Sequence, residues 1–271
     1  MSLLISVMRK LVLLSVFVLL TSQSGRAESQ SDKTPEEQFS IEAGLDIATG
    51  KYGGSISTTT ISIPLSINYY PNKYFDFGAS VPYIHQNTNL IVGGRVVTGT
   101  AARNVKSTNN KVTVSGFGDL LLDMGYTFSS ESLKSFQVRP VATLKLPTAD
   151  AGLGSGAVSE ILGVGLTKNI DKWLLFMDGD YAFQGKTALY TAKNYVDYDA
   201  GIGYEITPGL RPSLAIKGAT SAQEGVSGNL QLEGKLIYAV SSNCTLKLYI
   251  DRGYSSTSPD WEGSFTINYG F

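Results

Sequence analysis

Apolar and polar residues alternate along most of this chain with a period of two, which is the pattern of β-strands with one apolar face. Ile61, Ile63 and Leu65, for example, alternate with Ser62 and Pro64. No stretch predicts a long amphipathic helix. Twelve such segments occur, at 39–48, 58–70, 74–85, 116–128, 135–147, 159–167, 173–184, 195–206, 210–219, 229–240, 245–254 and 262–271.

The connections between these segments alternate between short and long. The short ones are 71–73, 129–134, 169–172, 207–209 and 241–244, and the long ones are 49–57, 86–115, 148–158, 185–194, 220–228 and 255–261. Barrels of the bacterial outer membrane have short turns at the periplasm and long loops outside. The sequence therefore predicts an all-β fold, a single 12-stranded antiparallel transmembrane β-barrel over residues 39–271. Its last strand must pair with its first, because lipid cannot bond free strand edges.

The first residues predict export. Arg9 and Lys10 precede an apolar run at 11–20, and small Gly25 and Ala27 follow, which is the layout of a secretory signal peptide. We expect a signal peptide at 1–27, a polar periplasmic leader at 28–38 and the barrel after it. The predicted location is the outer membrane of a Gram-negative bacterium. Its lipid and lipopolysaccharide are then partners.

The last residues, FTINYGF, continue the alternation to Phe271. Ile267, Tyr269 and Phe271 resemble the terminal signal that the barrel-assembly machinery reads, so that machinery is an expected partner. Aromatic girdles are expected at both rims. The periplasmic set is Phe75, Tyr126, Phe128, Phe136, Trp173, Tyr204, Tyr238 and Phe271, and the outer set is Tyr83, Phe183, Tyr198, Tyr254 and Phe265.

Charged residues fall almost entirely on the polar face of the predicted strands, which a barrel turns toward its lumen. The acidic set is Glu42, Asp46, Asp76, Asp119, Asp123, Asp178, Asp180, Asp197, Asp199, Glu205, Glu233 and Asp251, and the basic set is Arg139, Lys145, Arg211, Lys217, Lys235 and Lys247. Glu160 and Arg252 share the apolar parity and are expected near the outer rim. There, an arginine can meet lipopolysaccharide phosphate.

The charged residues of the predicted lumen are the basis for predicting its selectivity between cations and anions. Carboxylates that line a pore favour cations, and Asp178, Asp180, Asp197 and Asp199 form a dense acidic patch on neighbouring strands. The candidate selectivity residues are these four with Asp119, Asp123, Arg139, Lys145, Arg211 and Lys217. Inward charges in a narrow barrel also pair to hold its shape, and this alternative stays open. The loop at 86–115 carries Arg95, Arg103, Lys106 and Lys111, which would reverse the preference if that loop entered the pore.

Composition narrows the chemistry. The chain has 22 basic and 23 acidic residues, and without the basic segment at 1–27 it is mildly acidic, so no nucleic-acid partner is expected. Cys244 and His85 are the single cysteine and histidine. They allow no internal disulfide and no His/Cys metal cluster, so no metal or cofactor is expected. One alternative is an enzyme of the outer rim that uses His85, with Asp150 or Ser155 in reach; another is a structural barrel with a plugged lumen.

Two stretches carry a family resemblance. SGFGDLLLDMGYTF at 115–128 and RPVATLKLPTADAGLGSGAVSEILGVGLTKNID at 139–171 together resemble the outer-membrane family named for the meta-pathway of phenol degradation. That family has a GFGD-type strand start and a PTGD-like turn, and Ala149 replaces the glycine here. The resemblance implies a porin-like protein or transporter, not an enzyme. The expected function is passive passage of small solutes, with hydrophobic or aromatic compounds as candidates and a preference for cations if the lumen is open.

Overall fold

The computed structural model describes residues 38–52, 57–88, 91–92, 95–96, 112–129, 135–150, 153–186, 193–222 and 227–271. The signal peptide predicted at 1–27, residues 28–37 of the leader predicted at 28–38 and most of the loop at 86–115 lie outside these residues. The described part forms twelve barrel strands and a small hairpin of Ile91–Val92 with Arg95–Val96. The strands are β1 Phe39–Gly50, β2 Thr58–Tyr69, β3 Phe75–Thr88, β4 Val112–Phe117 continued by Leu120–Tyr126 and Phe128–Ser129, β5 Phe136–Leu146, β6 Ser159–Ile170, β7 Trp173–Phe183, β8 Tyr195–Tyr204, β9 Leu210–Ala219, β10 Asn229–Ala239, β11 Cys244–Gly253 and β12 Trp261–Gly270.

Each strand pairs antiparallel with the next, and β12 closes the barrel on β1. The closing pairs run from Ser40 opposite Gly270 to Thr49 opposite Trp261. Closure bonds the strand edges that lipid would leave unsatisfied. The structure confirms the predicted closed barrel of twelve antiparallel strands.

Short and long connections alternate around the barrel. The strand ends joined through 70–74, 130–135, 171–172, 205–209 and 240–243 lie at one end of the barrel, which also holds Phe39 and Phe271, and we call it the short-turn end. The strand ends joined through 51–57, 89–111, 147–158, 184–194, 220–228 and 254–260 lie at the other, the long-loop end. Within the described residues no helix is long and apolar enough to cross a membrane.

Two surfaces of opposite character follow from the strand alternation. On β1, Ile41, Leu45 and Ile47 are 43–50% exposed, whereas Asp46 and Ala48 between and beside them are buried. The same alternation places apolar side chains on the outside of the other strands and polar ones in the interior. The outer surface is therefore suited to lipid, and the core of the molecule is the lumen.

Aromatic rings form a continuous row on the outer face at the short-turn end. The rings follow one another in the order Phe271, Phe39, Tyr69, Phe77, Phe75, Tyr126 and Phe128, with neighbouring centroids 4.5–6.4 Å apart. Trp173 and Tyr204 form a further pair at the same end. Phe271 lies one residue beyond β12, and its backbone N–H and C=O both bond Phe39. The row includes Phe39, Tyr69 and Phe77, which the predicted girdle did not.

Strand β4 contains a β-bulge that the sequence pattern did not reveal. Phe117 pairs with Tyr83 and Leu121 with Ser80, so β4 holds one residue more than β3 between these pairs. Gly118 and Asp119 are both buried as a result, and the outward parity changes from Phe117 to Leu122. The strand also begins earlier than predicted: Val112 pairs with Thr88, so the connection assigned to 86–115 is shorter.

Candidate functional site: the lumen of the barrel

The predicted lumen residues of the strands face the interior of the barrel, whereas Glu205 lies in the turn at 205–209 and accepts a hydrogen bond from the Gly209 N–H at 3.3 Å. Asp76, Asp119, Arg139, Lys145 and Lys217 are buried, and so are Asp46, Asp199, Glu233, Lys235, Lys247 and Asp251. Asp123, Asp178, Asp180, Asp197 and Arg211 are half-buried on the same face. Glu160 and Arg252 are exposed on the outside, and the Arg252 guanidinium lies 4.7 Å from the Trp261 ring centroid.

Near the short-turn end the lumen holds one bidentate ion pair. Arg139 on β5 donates two hydrogen bonds to the Asp76 carboxylate on β3, one of them from Nε at 3.1 Å. The side chains are 9% and 7% exposed. Gly125 on the strand between them has no side chain in the way: a Cβ there would lie 2.6 Å from both groups. The pair therefore bridges β3 and β5 across β4.

Toward the long-loop end, Lys145 ties the bulge to the long connection at 147–158. Its ammonium donates to Asp119 Oδ2 at 3.0 Å and to Ser155 Oγ at 2.5 Å. Asp119 Oδ1 also accepts from the Ala149 N–H at 3.1 Å. Leu153 and Ser155 of this connection are 1% and 2% exposed. The part of the connection around Leu153 and Ser155 thus packs into the long-loop end of the lumen, whereas Thr148, Asp150 and Val158 of the same connection are exposed.

A second set of bonds joins the same segments through the backbone. The Phe117 N–H donates to Asp150 Oδ2 at 2.7 Å, and the Asp150 N–H donates to the Phe117 carbonyl at 2.9 Å. The Leu120 N–H donates to Thr148 Oγ1 at 2.8 Å. We call this set, with the Lys145–Asp119 pair, the clasp. It joins the GFGD and PTAD motifs, so the two motifs that the sequence singles out form one structure.

Two further interior lysines, on β9 and β11, bond carboxylates. Lys217 donates to Glu233 at 3.2 Å and to Asp251 at 2.9 Å. Lys247 donates to Glu42 at 2.8 Å across the closing strands. These pairs fit the alternative that inward charges hold the barrel wall.

The acidic patch lies where the sequence places it. Asp178 is directly opposite Asp199, and Asp180 is directly opposite Asp197. The Asp178 and Asp199 carboxyl groups are close enough to interact electrostatically. The patch is not isolated from positive charge, because Lys235 interacts electrostatically with both of these groups and Arg139 with Asp178. Basic side chains on other strands therefore reach the patch and compensate part of its negative charge.

Apolar side chains flank the acidic patch inside the barrel. Leu174 and Phe176 pack with Ala215 toward the short-turn end. Ile161, Ala182, Tyr195 and Ala219 pack together toward the long-loop end. The Lys235 ammonium lies 5.2 Å from the Phe176 ring centroid and 5.3 Å from that of Tyr249. One side of the lumen therefore alternates along its length between apolar and acidic surface.

One lumen carboxylate was missing from the predicted set. Glu262 on β12 is 8% exposed and faces inward, opposite Asp251 and Ala48. The alternation around Phe265 and Ile267 places even-numbered residues inward on this strand, so the signal was present in the sequence. Within the described residues, no group of three or more His, Cys, Asp or Glu side chains is placed to hold a metal ion.

The alternative based on His85 is changed by the structure. His85 lies on the outer face of β3, and its Nδ1 is 2.7 Å from Ser115 Oγ on β4. Ser155 is bonded to Lys145 in the lumen, and Asp150 is bonded to the Phe117 backbone. Neither of the two expected partners of His85 therefore joins it. In the part of the chain that the structure describes, no carboxylate bonds the His85 ring.

A closed barrel with an apolar outer face and a charged interior defines the class of outer-membrane-type β-barrel proteins. The chain belongs to the family described as "Putative MetA-pathway of phenol degradation", whose model matches residues 83–271. The match confirms the family that the two motifs indicated. Among curated proteins, none matches this chain.

Solved structures of the same architecture include channels and porins. The fold is similar to that of the COG4313 outer membrane channel from Pseudomonas putida F1, with a TM-score of 0.66 and 13% identity over 89% of this chain and 97% of that chain. It is also similar to the KdgM porin, with a TM-score of 0.55 and 11% identity over 86% of this chain and 99% of that chain.

A third similar structure is a domain of an autotransporter. The translocator domain of the autotransporter NalP from Neisseria meningitidis has a TM-score of 0.51 and 10% identity, over 95% of this chain and 98% of that chain. At identities this low the likeness shows the fold alone. Function has to be argued from the lumen.

Proposed function

We propose that this chain is a channel of the bacterial outer membrane through which small solutes diffuse. The observation that carries the proposal is the separation of surfaces: apolar and aromatic side chains cover the outside, and nearly all strand charges face the interior. Membership of the family and the likeness in fold to an outer membrane channel and a porin support it. In this placement the short-turn end faces the periplasm, and outer-membrane lipid and lipopolysaccharide surround the barrel.

A preference for cations is the finer part of the proposal. With Glu262 included, inward acidic side chains outnumber inward basic ones by more than two to one. Among the inward basic groups, each of the following is bonded to at least one carboxylate: Arg139, Lys145, Lys217 and Lys247. The lumen then attracts cations and repels anions, since carboxylate rings act in this way in cation channels.

The solute is proposed to be small, with hydrophobic or aromatic compounds as candidates. The apolar groups around Phe176 and Tyr195 give such a molecule surface to contact inside an otherwise charged lumen. A barrel that is filled only by paired charges would offer a solute no such apolar surface. This difference distinguishes the proposed channel from the structural alternative.

Planar-bilayer recording tests the channel. Purified refolded barrel should give discrete, reproducible conductance steps, and heat-denatured protein should give none. An intact barrel without steps would instead support the structural alternative with a plugged lumen. Uptake of a neutral phenol into liposomes, with and without the barrel, tests the proposed solute class.

A further inference from the structure

The outer face of the barrel carries an arginine at its long-loop end. Arg252 lies on β11, one residue before that strand ends, and its side chain is exposed. It shares the outward face with Leu248 and Ile250, which are 47% and 63% exposed. An arginine on the lipid face is costly at the middle of the bilayer, and the cost falls toward zero near the interfaces. Arg252 is therefore placed at the level of lipid head groups.

The guanidinium of Arg252 is held in place by the start of β12. Its Nη1 donates to the Asp260 carbonyl at 2.9 Å. The same group lies 4.7 Å from the ring centroid of Trp261, the residue directly opposite on β12. A cation at this distance from an indole ring is attracted by the ring. Because the bond and the ring already order the side chain, it has little freedom left to lose when a ligand binds.

The same guanidinium keeps donors available for a ligand. It has five N–H donors, and its hydrogen bond to Asp260 uses one of them. Among the described residues, Arg252 forms no ion pair with a carboxylate. The planar fork of a guanidinium matches phosphate, to which it donates two parallel hydrogen bonds. Arg252 thus has the chemistry of a phosphate-binding group.

Apolar surface lies beside Arg252 in the direction of the middle of the barrel. Ile250 and Leu248 continue the outward face of β11, and Phe265 on β12 is directly opposite Leu248. These side chains and the Trp261 ring are 38–63% exposed. A ligand that places an anionic group on the guanidinium can therefore lay hydrocarbon chains on the neighbouring strands. Phosphate and hydrocarbon chains together are the chemistry of a lipid.

A lysine on the outer face at the short-turn end provides the contrast. Lys168 is exposed on β6, two residues before that strand ends. It is directly opposite Leu175, which is 40% exposed on the outer face of β7. In the described part of the chain, neither a hydrogen bond nor an aromatic ring holds its ammonium. The arrangement at Arg252 is thus not a general property of outward cations in this barrel.

We propose that Arg252, stacked on Trp261, binds a phosphate group of lipopolysaccharide, whose acyl chains lie against Ile250 and Leu248. The proposal rests on the outer-membrane placement in the proposed function, in which the long-loop end faces outside, but it does not rest on conduction. The positive charge of Arg252 complements the phosphates of lipid A, the membrane-embedded part of lipopolysaccharide.

Binding of purified lipid A to the detergent-solubilised full-length barrel tests the site. Native mass spectrometry measures the fraction of barrel with bound lipid at a series of lipid concentrations. We expect Arg252→Gln to weaken binding about tenfold or more, because the phosphate loses hydrogen bonds to a charged group. Arg252→Lys keeps the charge without the fork and should bind with intermediate strength. Equal binding by the wild type and Arg252→Gln would overturn the proposal.

A matched variant at the other rim controls for a simple effect of net charge. Lys168→Gln removes one positive charge from the outer face, as Arg252→Gln does, and should bind lipid A like the wild type. The heat-dependent shift of the folded barrel on gels verifies that each variant is assembled. An equal loss of lipid A binding in the two folded variants would contradict a specific role of Arg252.

Two further lipids identify the group that Arg252 recognises. Lipid A without its phosphates should bind the wild type about as weakly as intact lipid A binds Arg252→Gln. Phosphatidylglycerol should compete poorly with lipid A, since it presents a single phosphate and two chains. Phosphatidylglycerol that bound as tightly as lipid A, and through Arg252, would assign the site to phospholipid and refute lipopolysaccharide as its ligand.

Conductance of the wild-type barrel separates this inference from the channel function. A conducting barrel whose binding of lipid A does not depend on Arg252 would refute the lipid site and leave the channel intact. A barrel that does not conduct but binds lipid A through Arg252 would refute the channel and leave the lipid site intact.

Discussion

Single ion pairs in the lumen hold strands that are not neighbours. Asp76 and Arg139 join β3 to β5, and both side chains are almost fully buried. Removal of one member of such a pair leaves a buried charge without compensation. Each member of such a pair is therefore expected to contribute strongly to the stability of the barrel.

We expect Asp76→Ala to lower the free energy of unfolding by about 3–5 kcal/mol, the usual cost of an uncompensated buried charge. Urea unfolding in lipid vesicles measures it. Removal of both charges, with Asp76→Leu and Arg139→Met, should cost less than Asp76→Ala alone. A single variant as stable as the wild type would show that water reaches Arg139 and that the pair does not hold the wall.

His85 tests the enzyme alternative at the scale of one residue. The structure gives it a serine neighbour on the outer face but no described carboxylate partner. Without a group that orients the imidazole, a Ser–His pair lacks a component that nucleophilic catalysis normally uses. We expect His85→Ala to keep wild-type conductance and to change no hydrolysis of phospholipid or ester substrates. A hydrolytic activity of the wild type that this substitution abolishes would replace the channel with an enzyme.

For most charged residues, the inward or outward orientation of the side chain could be predicted from the sequence. The alternation of apolar and polar residues is sufficient for this, because it depends only on neighbouring positions in the chain. Glu262 was not among the predicted lumen residues, although the alternation of its strand also places it inward. The partners could not be predicted: Lys217 lies 16 residues from Glu233 and 34 from Asp251, and only the strand register brings them together. Leu174 and Phe176 were also hidden, since both parities are apolar at 173–177.

At the scale of elements, the clasp connects a bulge in β4 to the connection after β5. The sequence resemblance found the two motifs but not their relation. A bulge is an extra residue in one strand, and the alternation of Leu120–Tyr126 gives no sign of it. Pairing with β3 reveals it, and pairing is not contained in a local pattern.

We expect Asp150→Ala to loosen the clasp, because the Phe117 N–H loses its carboxylate acceptor. A hydrogen bond to a charged group contributes about 1.5–3 kcal/mol, so amide exchange at 117–120 should rise by roughly tenfold or more. Hydrogen exchange followed by mass spectrometry measures this, with Glu160→Gln on the outer surface as the control. Unchanged protection would mean that strand pairing alone fixes the bulge.

The end of β12 is the second element with a specific role. Phe271 bonds the backbone of Phe39 in both directions, and its ring begins the aromatic row. We expect deletion of Phe271 to slow assembly into the outer membrane at low expression, because it removes both the closing bonds and the proposed terminal signal. Phe128→Ala, at the other end of the row, is the control and should assemble at the wild-type rate. Equal membrane levels of the deletion and the wild type would contradict the role of Phe271.

For the whole molecule, the closed twelve-stranded barrel was predictable because two independent signals agree. The alternation within segments identifies strands, and the order of short and long connections identifies a barrel that crosses a membrane. For the charges within the lumen, the sequence predicted only that acidic residues exceed basic ones. Which carboxylates are paired depends on side chains from different strands, as the bonds of Lys217 on β9 to Glu233 on β10 and Asp251 on β11 show.

The acidic patch is expected to contribute to the ion selectivity of the lumen. Replacing Asp178, Asp180, Asp197 and Asp199 by asparagine removes up to four negative charges from one wall and should reduce the cation-to-anion permeability ratio. Asp171→Asn, in an exposed turn at the short-turn end, is the control and should leave the ratio unchanged. A ratio that the quadruple variant does not alter would assign selectivity to other residues.

The reversal potential of the wild-type barrel in a potassium chloride gradient tests the central claim most directly. The account predicts a conducting lumen with a potential of the sign that cation preference gives, and a smaller preference at high salt, since the Debye length is about 10 Å at 0.1 M and shrinks as salt rises. The loop between β3 and β4 carries Arg95, Arg103, Lys106 and Lys111, so the measurement is repeated without residues 90–111. Anion preference that persists after this deletion would contradict the account.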